Sequence, residues 1–201
     1  MKLLDRRSIR IYDETVKISE DELKQIILEA NLAPSSMNMQ PWRYVIISSD
    51  AAKERLRPAL YGNLKQLETS AAMIVVFNDL HKFELAEKIY DTAVEKGLMP
   101  KDVREKQLTN IRNMAQKVDL GKLNVSGMID CGLAAMNLMY VAREHGYDTC
   151  PIGGFNHEMI HDVVDLDKDR YSPVMIISIG KAAEEGFPSV RLPFDDVAKI
   201  I

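Results

Sequence analysis

The pentapeptide His157-Glu158-Met159-Ile160-His161 has the spacing of a zinc-binding helix. On such a helix two imidazoles four residues apart share one face, and the carboxylate between them acts as base. Its extension does not follow: Val164 and Asp167 stand where the longer zinc-protease signature needs Gly and His. A third ligand would have to come from Glu184 or Glu185, beyond a strand and a glycine, so a polar helix start facing water is the simpler reading. Arg6-Arg7-Ser8-Ile9-Arg10 offers other chemistry. Guanidiniums are rigid donor forks matched to phosphate oxygens, and the serine adds a donor. In an extended segment Arg6, Ser8 and Arg10 point to one side. Arg191, far off in sequence, could converge on the same anion. Between them, Pro34-Ser35-Ser36-Met37-Asn38-Met39-Gln40-Pro41-Trp42 is a loop dense in short polar side chains. No G-x-G-x-x-G, G-x-x-x-x-G-K-[ST] or G-x-S-x-G occurs, which argues against a Rossmann dinucleotide site, a P-loop and the α/β-hydrolase nucleophile elbow.

These residues need elements to hold them. Ser19 and Glu22 form a capping box ahead of Leu23, Ile26, Ile27 and Ala30 at helical spacing, and Pro34 closes that helix. Residues 42–47 read as a strand, Asp50 as the cap of a further helix broken near Pro58, and 73–77 (MIVVF) as an apolar and therefore central strand. Residues 80–123 are charged and helical, divided at Gly97 and Pro100, with Phe83, Ala86, Ile89, Tyr90, Ala93 and Val94 on one face. This excursion between sheet elements is either a surface helical pair or a lid over a site. Strands follow at 147–152, running into Gly153-Gly154, and at 174–179; between them Asn156 caps a short helix reaching Leu166. The tail holds Pro188, Arg191 and Pro193 and shows little helix signal. The sum is one α/β or α+β domain over residues 1–201 with four or five strands.

Composition narrows the class. The 201 residues are 46% hydrophobic and 28% charged, an ordinary globular balance. With 26 basic against 30 acidic residues, the net charge of −4 argues against general nucleic-acid binding. Two cysteines, Cys131 and Cys150, exclude a four-cysteine zinc site and do not suggest a disulfide scaffold; they read as buried thiols. Residues 1–13 are basic and lack the apolar core of a secretion signal, so the expected location is cytoplasmic. The one long apolar stretch, 125–142, contains Asp130 and Asn137 and is bracketed by Lys122 and Arg143. It is too short and polar for a membrane span and reads as a helix buried on all sides. A second subunit is one way to cover it, and Gly132 and Ala135 would allow close approach. An obligate dimer is therefore expected, with an ordinary core helix as the alternative.

Taken in order along the chain, Arg6-Arg7-Ser8-x-Arg10, Pro34-Ser35-Ser36-x-Asn38-x-Gln40-Pro41-Trp42, Pro151-Ile152-Gly153-Gly154-Phe155 and Arg191-Leu192-Pro193 resemble the FMN-dependent nitroreductase family. The resemblance implies an α+β fold: a central mixed or antiparallel sheet flanked by helices, in an intertwined homodimer whose core is the long apolar helix. FMN would lie at the subunit interface. Arg6, Ser8 and Arg191 would hold its phosphate and ribityl chain, with help from Arg7, and Arg10 would sit near the pyrimidine end. Pro34, Ser35, Ser36 and Asn38 would come from the other subunit, and Asn63 and Gln66 would meet the isoalloxazine edge. Pro151 and Ile152 would pack on one flavin face, with the Gly153 N–H, followed by Gly154, directed at N5. No side chain need act as acid or base, because the flavin carries hydride from NADPH or NADH to a small conjugated acceptor in ping-pong fashion. Gly153 stands where familiar members often carry an acidic residue, and Ser189 where they often carry lysine. A zinc hydrolase built on His157 and His161, and a flavin-binding protein without turnover, are the competing classes.

Overall fold

The computed structural model describes residues 5–201; positions 1–4 of the expected domain and of its basic N-terminus lie outside the described residues. Four strands form one antiparallel sheet in the order β1-β2-β4-β3, where β1 is Trp42–Ile47, β2 Ala72–Asp79, β3 Asp148–Ile152 and β4 Tyr171–Gly180. β2 is buried at every position, as its apolar run predicts for a central strand. Its side chains alternate between two cores. Ile74 and Val76 pack with Ile177 and Ile179 against helices α1 (Glu20–Ala30) and α6 (Leu120–Glu144). Met73, Val75 and Phe77 pack on the opposite face with Leu56, Leu67 and Ile160. These last come from α2 (Asp50–Leu56), α3 (Leu64–Thr69) and α7 (Met159–Val164).

Local boundaries depart from the sequence expectation for identifiable reasons. β4 begins at Tyr171, because a bulge seats Pro173 opposite Phe77 and lets the strand continue through a proline. Ser49, not Asp50, caps α2, its Oγ accepting the Ala52 N–H at 3.3 Å. The capping box is half formed: Ser19 Oγ accepts the Glu22 N–H, but the Glu22 carboxylate accepts Tyr147 OH at 2.8 Å instead of turning back to its own helix. The excursion resolves into α4 (Ala86–Glu95) and α5 (Lys101–Ala115), separated as expected at Gly97 and Pro100. A short helix, α8 (Phe194–Val197), interrupts the tail.

Within one chain the apolar helix is covered on one side only. Cys131, Ala134, Leu138 and Ala142 of α6 pack in one core with the sheet, but Val125, Ile129 and Leu133 are 62%, 62% and 46% exposed. Their four-residue spacing makes one stripe that the chain itself leaves bare. By length and composition alone α6 could cross a bilayer, yet its other face forms the core of the sheet.

Candidate functional site

The basic N-terminal segment lies beside β3. Ser8 bridges Thr149 in parallel, the Ile9 N–H donates to Thr149 O at 3.1 Å, and the chain then pairs with the exit of β4 through Tyr12 and Ala182. A Cβ placed on Gly186 would come within 2.8 Å of Arg7 Cβ and 3.0 Å of Ile9 Cδ1, so Arg7 and Ile9 share one side. Alternation along an extended segment would turn Arg6, Ser8 and Arg10 to the other side. Among the described residues the buried Arg6 Nη1 has no hydrogen-bond partner. A buried guanidinium nitrogen in that condition is a donor lacking its acceptor, and an anion satisfies it best. Arg7 Nη1 donates to Arg6 O at 3.0 Å. Arg10 is exposed; its N–H donates to Glu184 Oε1 at 2.6 Å, and its guanidinium lies 5.5 Å from the Phe187 ring centre.

Beyond the end of β3 the chain opens to solvent. Pro151, Gly153 and Gly154 are exposed while Ile152 is buried. Among the described residues, no atom beyond Gly153 and its two chain neighbours lies within 4 Å of where a Gly153 Cβ would stand. Gly154 O accepts the Tyr61 N–H at 3.0 Å and Asn63 Nδ2 at 3.5 Å, and Gln66 Nε2 donates to Asn63 Oδ1 at 3.2 Å. Asn63 and Gln66 are thereby brought to the Gly153-Gly154 turn. The N-terminal segment, this turn, Asn63 and Gln66 cluster around the β3 edge.

Residues 34–40 lie at the opposite edge, leading into β1. Met37, Asn38 and Gln40 have φ of 52°, 56° and 44°, left-handed backbone in three non-glycine residues out of four. Each costs on the order of 1–3 kcal/mol and persists only where surroundings hold it. The holds are visible. The Ser36 N–H donates to Asp130 Oδ1 at 3.0 Å, the Gln40 N–H to Ser35 Oγ at 3.0 Å, and Tyr90 OH to Met37 O at 3.0 Å. Gln40 Nε2 donates to Asn38 O at 3.0 Å. Arg43 Nη1 donates to Gln40 O at 2.9 Å, and its Nη2 to Asp79 Oδ2 at 2.9 Å; Arg170 pairs with the same fully buried carboxylate. Met39 is fully buried and packs with Ala86, Tyr90, Leu108 and Ile111, so the helical excursion leans on this loop.

Among the described residues no hydrogen bond joins loop 34–40 to segment 6–10. Four strand spacings, about 19 Å, separate β1 from that segment across the sheet. Arg191 Nη1 donates to Ser189 Oγ at 2.7 Å and Val190 O at 2.9 Å, within an exposed tail. One chain therefore carries the expected site residues as separated parts.

The zinc-like motif has a different fate. α7 begins at Met159, after His157, so the two imidazoles do not share a helix face. The His157 ring stacks on Phe155 at 4.3 Å, whereas His161 is buried against Phe77 with Nε2 at 2.7 Å from Tyr171 O. Asn156 Oδ1 accepts the Glu158 and Met159 N–H groups, the cap the sequence suggests. Both cysteines are free and buried, and burial pushes the Cys131 thiol up to about 12. Sequence reasoning weighed Asp130 only against a membrane span and passed over Lys82; their charges meet at 3.8 Å with side chains 7% and 2% exposed. Burial lowers the Lys82 ammonium below the usual lysine range, partly offset by Asp130. A lone carboxylate inside the apolar run 125–142 was the available signal, since such a charge is kept only where something holds it.

Comparison with known proteins is consistent along the chain. The model of the Nitroreductase family matches residues 3–181. The Bacillus subtilis protein named NAD(P)H nitroreductase YdgI is 48% identical over 194 residues, covering 96% of this chain and 93% of that one. A structure from Exiguobacterium sibiricum, named as a nitroreductase and solved in complex with FMN, superposes with a TM-score of 0.97 at 52% identity, covering 99% of this chain and 95% of that one. The enone reductase CLA-ER superposes with a TM-score of 0.90 at 30% identity, covering 99% and 95%.

Proposed function

The chain belongs to the nitroreductase family, and we propose that it is a homodimeric FMN-dependent oxidoreductase. It takes reducing equivalents from NADPH or NADH and delivers them to a small conjugated acceptor: a nitroaromatic, quinone, enone or free flavin. The observation that carries the cofactor assignment is the buried Arg6 Nη1, which has no hydrogen-bond partner among the described residues. A phosphate with about two negative charges supplies the missing acceptor. The donor set fits FMN: cations beside β3, an open Gly153 turn, and the amides of Asn63 and Gln66 within reach of that turn.

Arg6, Ser8 and Arg191 would bind the phosphate and ribityl chain, with Arg7 in support. Arg10 would place positive charge at the pyrimidine end. Pro151 and Ile152 would form one wall, and the Gly153 N–H would donate toward N5. Bound there, FMN would take hydride from the nicotinamide at N5 and pass it to the acceptor. Pro34, Ser35, Ser36 and Asn38 would complete the site from the partner subunit. The separation of the two sheet edges supports that assignment. So do the bare stripe of α6 and a tail whose Val190, Leu192, Phe194, Val197, Ile200 and Ile201 are exposed. The excursion 80–123 acts as a lid over the loop it leans on. Free, buried Cys131 and Cys150 accord with a reducing cytoplasm.

The test is the absorbance spectrum of freshly purified protein, before and after anaerobic NADPH or NADH. Oxidised-flavin bands that bleach with either nucleotide are expected. Bands that persist with both would make the protein a flavin carrier, and a protein that stays colourless after added FMN would overturn the cofactor.

A further inference from the structure

We propose that Asp130 is a positioning residue for the flavin. From within α6 it fixes the backbone of loop 34–40 through the Ser36 N–H, while Lys82 holds its carboxylate in place. This rests on the placement of that loop at the flavin, proposed above. The two oxygens of Asp130 do different things. Oδ1 accepts the Ser36 N–H at 3.0 Å. Oδ2 lies 3.8 Å from Lys82 Nζ, and among the described residues neither of those atoms has a hydrogen-bond partner. The pair is thus held by charge attraction inside the protein, where attraction is strong and solvent does not compete.

Lys82 opens a 3-10 turn, Lys82–Leu85, three residues past the end of β2, and the intervening backbone is tied down by the Leu80 N–H on Arg170 O and the His81 N–H on Asp79 Oδ1. Asp130 is in this way clamped between the sheet and the loop. Stability does not account for the arrangement, because replacing a buried ion pair with apolar side chains is often neutral or favourable. The loop does account for it. Left-handed backbone at Met37, Asn38 and Gln40 needs external anchors. Tyr90 anchors Met37 O and Arg43 anchors Gln40 O, but the anchor at the loop's entry comes from α6 through Asp130. Any displacement of that helix is passed to Ser36.

Two double variants separate the acceptor from the charge. Lys82→Met/Asp130→Leu removes both; Lys82→Met/Asp130→Asn removes the charges but keeps an oxygen for the Ser36 N–H. Holoenzyme is assayed for FMN dissociation by fluorescence of released flavin, for the midpoint potential of bound FMN, and for Tm. The Leu double is expected to keep Tm close to the parent, to bind FMN about tenfold or more weakly, and to shift its potential; the Asn double stays within about threefold. Should the Leu double fail to fold, Asp130→Ala set beside Asp130→Asn makes the same comparison. Equal losses in the Leu and Asn doubles, or no loss in either, would overturn the positioning role. In that event Asn38→Ala tells the two failures apart. Weakened FMN retention in Asn38→Ala leaves the loop at the flavin without Asp130 as its positioner, and unchanged retention removes the loop from the flavin altogether.

Discussion

An aspartate introduced at Gly153 would find nothing in its way, since among the described residues no atom beyond Gly153 and its two chain neighbours lies within 4 Å of the position its Cβ would take. Gly153→Asp should therefore fold as the parent does, with Tm within about 2 °C, as for other unstrained surface substitutions. Its charge would stand beside the proposed N5 position and oppose uptake of electrons. The midpoint potential of bound FMN should fall, by about 30 mV for each 1.4 kcal/mol of opposition. Redox titration of the purified variant checks this; an unchanged potential in a folded, flavin-loaded protein would put Gly153 away from the flavin. Gly127 is the opposite case. A Cβ there would stand 2.0 Å from the Oδ1 of buried Asn78, so the residue is glycine because α6 presses on β2. Sequence alone does not separate the two glycines, nor does it reveal that Arg6 Nη1 lacks a hydrogen-bond partner among the described residues. Residue type is legible; what surrounds the residue is set by segments distant along the chain.

Elements were legible in proportion to how local their cause is. Periodicity placed α1 and α4, because burial of one face leaves its period in the sequence, while the central strand was legible from its unbroken apolar run and α5 from the break at Gly97 and Pro100. The start of β4 was not legible, since Pro173 reads as a stop unless a bulge in the pairing is known. The left-handed turn at Met37 and Asn38 was hidden for the same reason: its anchors, Asp130, Tyr90 and Arg43, lie outside the loop. The His157 motif makes the point in reverse. Five residues match a zinc helix, yet the helix begins two residues late and each ring is engaged elsewhere. Dialysis against EDTA should leave NADPH-dependent turnover intact. His157→Ala should keep turnover within about twofold while losing only the roughly 0.5–1.5 kcal/mol of a ring stack. Loss of turnover on chelation, restored by zinc, would revive the hydrolytic reading of that segment.

At the scale of the whole molecule, the bare stripe of α6 and the exposed apolar tail are parts of one problem. A chain that leaves Val125, Ile129, Leu133, Phe194 and Ile200 in water has not finished burying its apolar surface. It also carries its candidate site in two halves, cations at the β3 edge and the strained loop at the β1 edge. The proposed second copy, related by a two-fold axis, would resolve both, because each subunit would then offer its loop half to the other's cationic half. The consequence is complementation. Protomers carrying Arg6→Ala/Arg10→Ala should lose flavin, and so should protomers disabled in the loop by Ser35→Ala/Asn38→Ala. Unfolded together and refolded as a mixture, they form hybrid dimers in which one of the two sites draws only on unaltered halves. With random pairing, roughly a quarter of all sites regain FMN and NAD(P)H-dependent turnover. If each chain built its own site, every site in the mixture would carry a damaged half and none would recover. Counting bound flavin per subunit in the refolded mixture decides between the two.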